Sequence, residues 1–198
     1  QPARLATIIA RAAGESADID DAGSGGLTRW SAEPYLQALR RMMIVDEVDA
    51  WSPAMRSRSR LISVPKRHLV DPSLAAGLLN ASPARLLGDL NTMGFLFESL
   101  AVRDLRIYAE AADARVFHYR ERSGDLEVDL VVEHADGSWA GFEVKLGGRL
   151  VDDAAASLLR MSSRVAATPS VLAVITGTEY GYRRPDGVWV LPLGCLAP

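Results

Sequence analysis

The chain has 198 residues, 48% of them apolar, with a formal net charge of −3. That length allows one large domain or two small ones, and that apolar content excludes a disordered polymer. The acidic total excludes a uniformly basic nucleic-acid binder, and one cysteine, Cys195, excludes an internal disulfide.

Ten basic residues face eight acidic ones in residues 1–70, and twelve face seventeen in residues 71–198. The first part can approach a phosphate backbone unaided, whereas the second needs a metal or local arginine to do so. Three histidines and one cysteine are too few for a Cys/His zinc site. No apolar run approaches the roughly 18–20 residues of a membrane span, so no membrane partner is expected. The start Gln1-Pro2-Ala3-Arg4 lacks the apolar stretch of a signal peptide. It also lacks an initiator Met, so the sequence reads as a piece of a longer protein, and its single cysteine fits a reducing, cytoplasmic setting.

Residues 3–13 predict an amphipathic helix, with Leu5, Ile8 and Ile9 at helical spacing and Gly14 as its stop. Residues 15–26 read as an acidic segment followed by the loop Gly23-Ser24-Gly25-Gly26. Thr28 or Ser31 can cap the next helix, which runs to about Met43 with Tyr35, Leu36 and Leu39 inward. Strands are expected over 44–51 and 61–70, around the polar, arginine-rich residues 52–60. Helices followed by two strands around a loop give the order of a winged helix.

Asp71-Pro72 opens a further helix, because proline suits the first helical turn. Short helices are expected over 72–80 and 83–90. A longer one covers about 92–112, with Phe95, Leu96, Leu100, Val102, Leu105 and Ile107 as its apolar positions. Three strands follow, over 115–121, 126–134 and 138–146, joined by the turn signals Ser123-Gly124-Asp125 and Asp136-Gly137. A helix over 150–166 and strands over 171–176 and 188–193 complete an α/β domain with a mixed central sheet. The expected division is a winged-helix domain over 1–80 and the α/β domain over 81–198.

Only two lysines, Lys66 and Lys145, stand among the 22 basic residues. Lysine is a compact point charge on a flexible stem, where arginine is a planar fork. Lys145 lies in Phe142-Glu143-Val144-Lys145, shortly after Glu127-Val128-Asp129. Strand side chains alternate faces, so a tight hairpin brings Asp129, Glu143 and Lys145 to one side of the sheet. Two carboxylates with a backbone carbonyl and waters suit Mg²⁺ or Mn²⁺ at Asp129 and Glu143. The metal would polarise a phosphodiester and lower the pKa of an attacking water, while Lys145 orients that water or meets developing charge. Glu98, on the preceding helix, is a candidate fourth group.

Blander readings exist for each group. Glu-x-Lys on an open strand is also a solvated ion pair. Arg120 reads as a structural partner of Glu127 or Glu98, His118 as a partly buried strand residue, and Trp139 and Phe142 as packing residues. Arg56, Arg58 and Arg60 form either a solvated linker or a wing that lies along a DNA backbone. Arg40-Arg41 can contact phosphate or complement a helix C-terminus, with the second reading preferred.

Met93 to Leu100, Phe117-His118-Tyr119-Arg120, Glu127 to Val131 and Phe142 to Lys145 together resemble the DUF4143 domain. Upstream, residues 1–80, including Lys66 to Ala75, resemble the winged helix that accompanies it. The resemblance implies the C-terminal region of a prokaryotic AAA+-type ATPase, with a restriction-endonuclease-like PD-(D/E)xK fold. It assigns Glu98 to the first helix of that fold, Asp129 to its second strand and Glu143-x-Lys145 to its third. No Gly-x4-Gly-Lys-Ser/Thr run occurs, so ATP would bind only in an upstream module of the full-length protein.

Two functions of different class follow. One is a Mg²⁺-dependent DNA nuclease domain linked to an ATPase. The other is a catalytically inactive nuclease-fold module that binds nucleic acid or a protein partner for the ATPase. A complete set of Glu98, Asp129, Glu143 and Lys145 favours the first, and the acidic balance of residues 71–198 favours the second. Either is compatible with a homo-oligomer.

Overall fold

The computed structural model describes residue 9 and residues 29–53, 64–121 and 124–197. The chain divides into two compact units, residues 1–48 with 64–100 and residues 49–63 with 101–198. Apart from Ile9, the helix expected over 3–13 lies outside the described residues. So do the loop 23–26, Thr28, Ser123 and the run Arg56–Arg60.

In the first unit α1 (Arg29–Arg41) buries Leu36 and Leu39, three apart on one face. Met43 adopts φ 52 just beyond the helix, and the Ile44 N–H then bonds the Leu39 carbonyl at 2.9 Å. The strands β1 (Val45–Val48) and β2 (Lys66–Leu69) pair antiparallel, from Val45 opposite Leu69 to Val48 opposite Lys66. Helix α2 (Pro72–Leu78) begins at the Asp71 cap, whose carboxylate accepts the Ser73 N–H at 2.8 Å. Helix α3 (Pro83–Gly88) is capped in the same way by Ser82, and α4 (Leu90–Ala111) follows. Ile9, Leu36, Leu39, Val45, Leu69, Ala75 and Leu96 form the core of this unit.

The second unit is built on a six-stranded mixed sheet in the order β3-β4-β5-β6-β8-β7. Its strands are β3 (Ala114–Arg120), β4 (Glu127–His134), β5 (Trp139–Lys145), β6 (Val171–Thr176), β7 (Tyr182–Arg183) and β8 (Trp189–Pro192). β3, β4 and β5 form an antiparallel meander. β5, β6 and β8 run parallel, and β7 is an antiparallel edge. Gly137 takes φ 85 in the β4–β5 turn, the left-handed conformation that the Asp136-Gly137 signal implies.

Parallel neighbours need a crossover, here α5 (Val151–Arg164) between β5 and β6. Val151, Ala154, Ala155, Leu158 and Met161 recur at helical spacing and are buried against the sheet with Trp139, Val174 and Val190. Gly141 makes this close packing feasible. A Cβ there would stand 3.1 Å from Leu172 and 3.4 Å from Leu158. The fold is therefore mixed α/β, and the helices and strands from Pro72 onward lie close to the bounds read from the sequence. Among the described residues no helix is long and apolar enough to cross a membrane.

Three features differ from expectation. Ile107, expected inward, is 55% exposed, whereas Ala101, Val102, Leu105 and Ala109 are buried on the same helix. Two positions beyond Leu105 is roughly 200° around the helix, the opposite side. The strand β7 has only two residues and no apolar alternation to announce it. The expected strand over 44–51 stops at Val48, and residues 49–51 join the second unit as a strap along β3. The His118 N–H bonds the Asp49 carbonyl at 2.9 Å, and the Trp51 N–H bonds the His118 carbonyl at 2.6 Å.

Trp51 is buried in this strap, 5.0 Å from the Trp139 ring and 6.3 Å from Tyr119. Trp51→Ala should therefore destabilise the second unit, by about 3–5 kcal/mol for a buried aromatic removed from a core. A urea titration reads this loss. An unchanged midpoint would mean that the strap contributes nothing to that core.

Candidate active site

The β4–β5 ladder runs from Glu133 opposite Trp139 to Leu130 opposite Phe142 and stops there. One residue further along β4, a side chain takes over: Asp129 Oδ2 accepts the backbone N–H of Val144 at 2.9 Å. Val131 opposite Gly141 defines a common face, and the two-residue period carries it to Asp129 and Glu143. Lys145 closes the group. Its Nζ donates to Glu143 Oε2 at 2.6 Å and to Asp129 Oδ2 at 3.1 Å. These three groups lie at the carboxyl end of β5, and the carboxyl ends of parallel strands are where open α/β sheets bind ligands.

The charge balance within the cluster is uneven, since one ammonium serves two carboxylates. Glu143 is 4% exposed. Burial pushes its carboxyl well above the ordinary range, and the negative charge of Asp129 adds to that; Lys145 works the other way. Burial disfavours the Lys145 ammonium, but Asp129 and Glu143 together outweigh it and hold its pKa above the ordinary lysine value. A protonated Glu143 beside ionised Asp129 and Lys145 leaves the buried cluster without net charge, which a low-dielectric site favours.

The donor chemistry fits Mg²⁺ or Mn²⁺. Asp129 and Glu143 offer hard carboxylate oxygens, and Mg²⁺ keeps several waters when only one or two carboxylates bind it. Among the described residues no group of three or more His, Cys, Asp or Glu side chains is arranged to hold a metal. The two carboxylates would therefore be the protein side-chain ligands.

Glu98, the fourth candidate, lies in the first unit, where its Oε1 meets Lys66 Nζ at 3.3 Å. Lys66 is 2% exposed. Both lysines of this arginine-rich chain thus serve ion pairs with little access to solvent. Next to that pair, Ser99 Oγ donates to the Phe95 carbonyl and lies 3.0 Å from His68 Nδ1.

Arg120 pairs with Glu127 at 3.8 Å, in keeping with a structural role. His118 is wholly buried. The Arg40 guanidinium engages Glu47 with two bonds of 2.8 and 2.6 Å, and Glu33 with one of 3.2 Å. The Glu47 pair, more than helix-end electrostatics, accounts for that arginine. The proposed DNA contacts Arg56, Arg58 and Arg60 fall outside the described residues. Sequence reasoning overlooked Thr176, a buried hydroxyl aligned with Lys145 across β5 and β6. Only the register of two parallel strands could have found it.

A domain of unknown function, DUF4143, matches residues 93–196. The chain belongs to the DUF4143 family. A second domain of unknown function, DUF8612, matches residues 2–85, so the first part of the chain is similar to that domain. No curated protein and no solved structure matches the chain. The DUF4143 match spans Asp129, Glu143 and Lys145 together with the whole six-stranded sheet.

In this DUF4143 domain the raised Glu143 pKa makes a pH prediction. The folded state holds a proton that the unfolded state has released above the ordinary carboxyl range. Stability from this group is complete below the unfolded pKa and is lost as pH rises through the raised folded value. In metal-free buffer, Glu143→Gln should remove that decline and leave the pH dependence from other groups. Urea midpoints across pH for both proteins check it. Parallel curves would contradict the assignment.

Proposed function

We propose that the second unit is a nuclease-like domain of the PD-(D/E)xK type that hydrolyses DNA phosphodiesters with Mg²⁺ or Mn²⁺. The observation that carries this reading is the convergence of Asp129 and Glu143 on Lys145 at the end of a mixed sheet. A divalent cation held by the two carboxylates would polarise the phosphodiester and lower the pKa of an attacking water.

The chain's own residues then have separable tasks. The Val144 N–H holds the Asp129 carboxylate in a fixed orientation. Lys145 turns its ammonium toward a non-bridging phosphate oxygen, where negative charge grows in the transition state. Glu143 would hold the cation only as a carboxylate, so its proton would pass to solvent on binding. In the same proposal the first unit is a winged helix, with β1 and β2 flanking a wing that carries Arg56, Arg58 and Arg60. The whole is the C-terminal part of a cytoplasmic AAA+-type ATPase, whose upstream module binds ATP.

A second reading has its own support. Lys145 already bonds both carboxylates, so the cluster is satisfied by protein groups. A catalytically inactive module that binds nucleic acid or a protein partner would keep these residues for stability.

Plasmid cleavage with and without Mg²⁺, by the wild type and by Asp129→Ala, tests the first reading. Cleavage should need the metal and vanish in the variant. Lys145→Ala separates the two readings. In the nuclease it abolishes cleavage with DNA affinity intact. In the inactive module there is no rate to lose, and leaving buried carboxylates unpaired costs about 3–5 kcal/mol of stability. Full cleavage by Lys145→Ala would contradict the role assigned to the ammonium.

A further inference from the structure

We infer that the loops leaving β5 and β6 form a subsite for single-stranded nucleic acid, where Arg149 holds a phosphate and Tyr180 and Tyr182 stack on bases. The inference rests on the reading of Asp129, Glu143 and Lys145 as a phosphodiester site.

Arg149 lies in the turn Gly148–Leu150, which follows Lys145 almost directly and leads into α5. It is exposed. Elsewhere in this unit Arg103, Arg120, Arg164 and Arg184 are tied to carboxylates. Arg149 has no carboxylate partner among the described residues, so its charge is available to an anion. Arginine is the side chain suited to phosphate, through its fork of N–H donors.

On the neighbouring strand Thr176 is level with Lys145 and fully buried. Its hydroxyl lies 2.7 Å from that of Thr178, which fixes the start of the loop leaving β6. Tyr180 in that loop is 77% exposed, and Tyr182 on β7 is 50% exposed. Register sets how far apart these groups lie. Glu143 stands opposite Val174, Val174 opposite Val190, and Val190 opposite Tyr182. All four share the face that α5 covers, with Val174 and Val190 buried beneath it. Tyr182 therefore lies three strands from Glu143, about 14 Å at the usual strand spacing, and the way from one to the other leads past the first turn of α5 rather than across the sheet. The Arg184–Asp152 ion pair at 2.5 Å ties the β7–β8 hairpin to the first turn of α5, next to the Arg149 turn.

The chemistry selects a single strand over a duplex. Exposed tyrosine rings stack on open base faces, which a duplex keeps stacked on each other. Residues 71–198 carry twelve basic against seventeen acidic side chains, a poor match to the dense phosphates of two strands. Stacking with one or two phosphate contacts is the affinity such a surface can supply.

The test uses the full chain and a fluorescein-labelled single strand of roughly ten nucleotides, with anisotropy read in EDTA across a salt series. Tyr180→Ala and Tyr182→Ala should each weaken binding about tenfold. Arg149→Ala should flatten the log–log salt slope by about 0.7, the value for one phosphate on a single strand, and Arg149→Lys should restore it. Circular dichroism melts establish that all four variants fold. Wild-type binding that none of these changes affects would overturn the subsite and leave the phosphodiester reading standing. Equal affinity for a duplex of the same sequence would overturn the choice of a single strand. No binding to either, with no metal-dependent cleavage, would overturn the subsite and the underlying reading together.

Discussion

One ammonium shared by two carboxylates is the constraint around which the second unit is arranged. Lys145 reaches Asp129 and Glu143 only because β4 and β5 are held side by side while their ladder ends at Leu130 and Phe142. Past that point Asp129 fills the place of a ladder acceptor by taking the Val144 N–H. The polar cluster thus begins where backbone pairing stops. Glu143 is buried on the sheet face that also carries Trp139 and Gly141, and Gly141 lets Leu158 of α5 approach closely. Packing and chemistry are coupled here, because the helix that completes the core also helps make the Glu143 environment dry.

A buried cluster with two acids and one base is costly unless its charge is reduced. A proton on Glu143 cancels the surplus negative charge, whereas a divalent cation replaces it with a surplus positive one that an anionic phosphate would balance, and the two are alternatives at the same oxygens. Physical chemistry alone therefore allows both a resting, protonated cluster and a metal-loaded one. Lys66 and Glu98 form a second ion pair with little exposure, away from this cluster in sequence. Replacing either lysine by arginine would put a wide planar fork where a point charge fits.

Much of this was legible in the sequence. The period-two pattern of 126–132 and 139–146, with the tight turn at Asp136-Gly137, was enough to place Asp129, Glu143 and Lys145 on one face. The helix start at Asp71-Pro72 and the helix over 150–166 were equally readable, because they depend on local residues. Features set by distant partners were not. Trp51 reads as the end of a strand, yet it packs on Trp139 nearly ninety positions later in the chain. Ile107 looks like core by composition, yet it lies on the wrong side of its helix. The two-residue β7 exists only because β8 offers an edge. Burial of Glu143, which decides its protonation, depends on packing across the sheet that no spacing rule reveals.

The central claim is that Asp129 and Glu143 are a metal pair with Lys145 as their companion. Diffraction from crystals soaked in Mn²⁺ tests it most directly, through the anomalous signal of the ion. The account predicts a peak within about 2.5 Å of oxygens from both carboxylates, with the Lys145 ammonium moved off at least one of them. Crystals that show no peak at either carboxylate, with Lys145 still bonded to both, would contradict it.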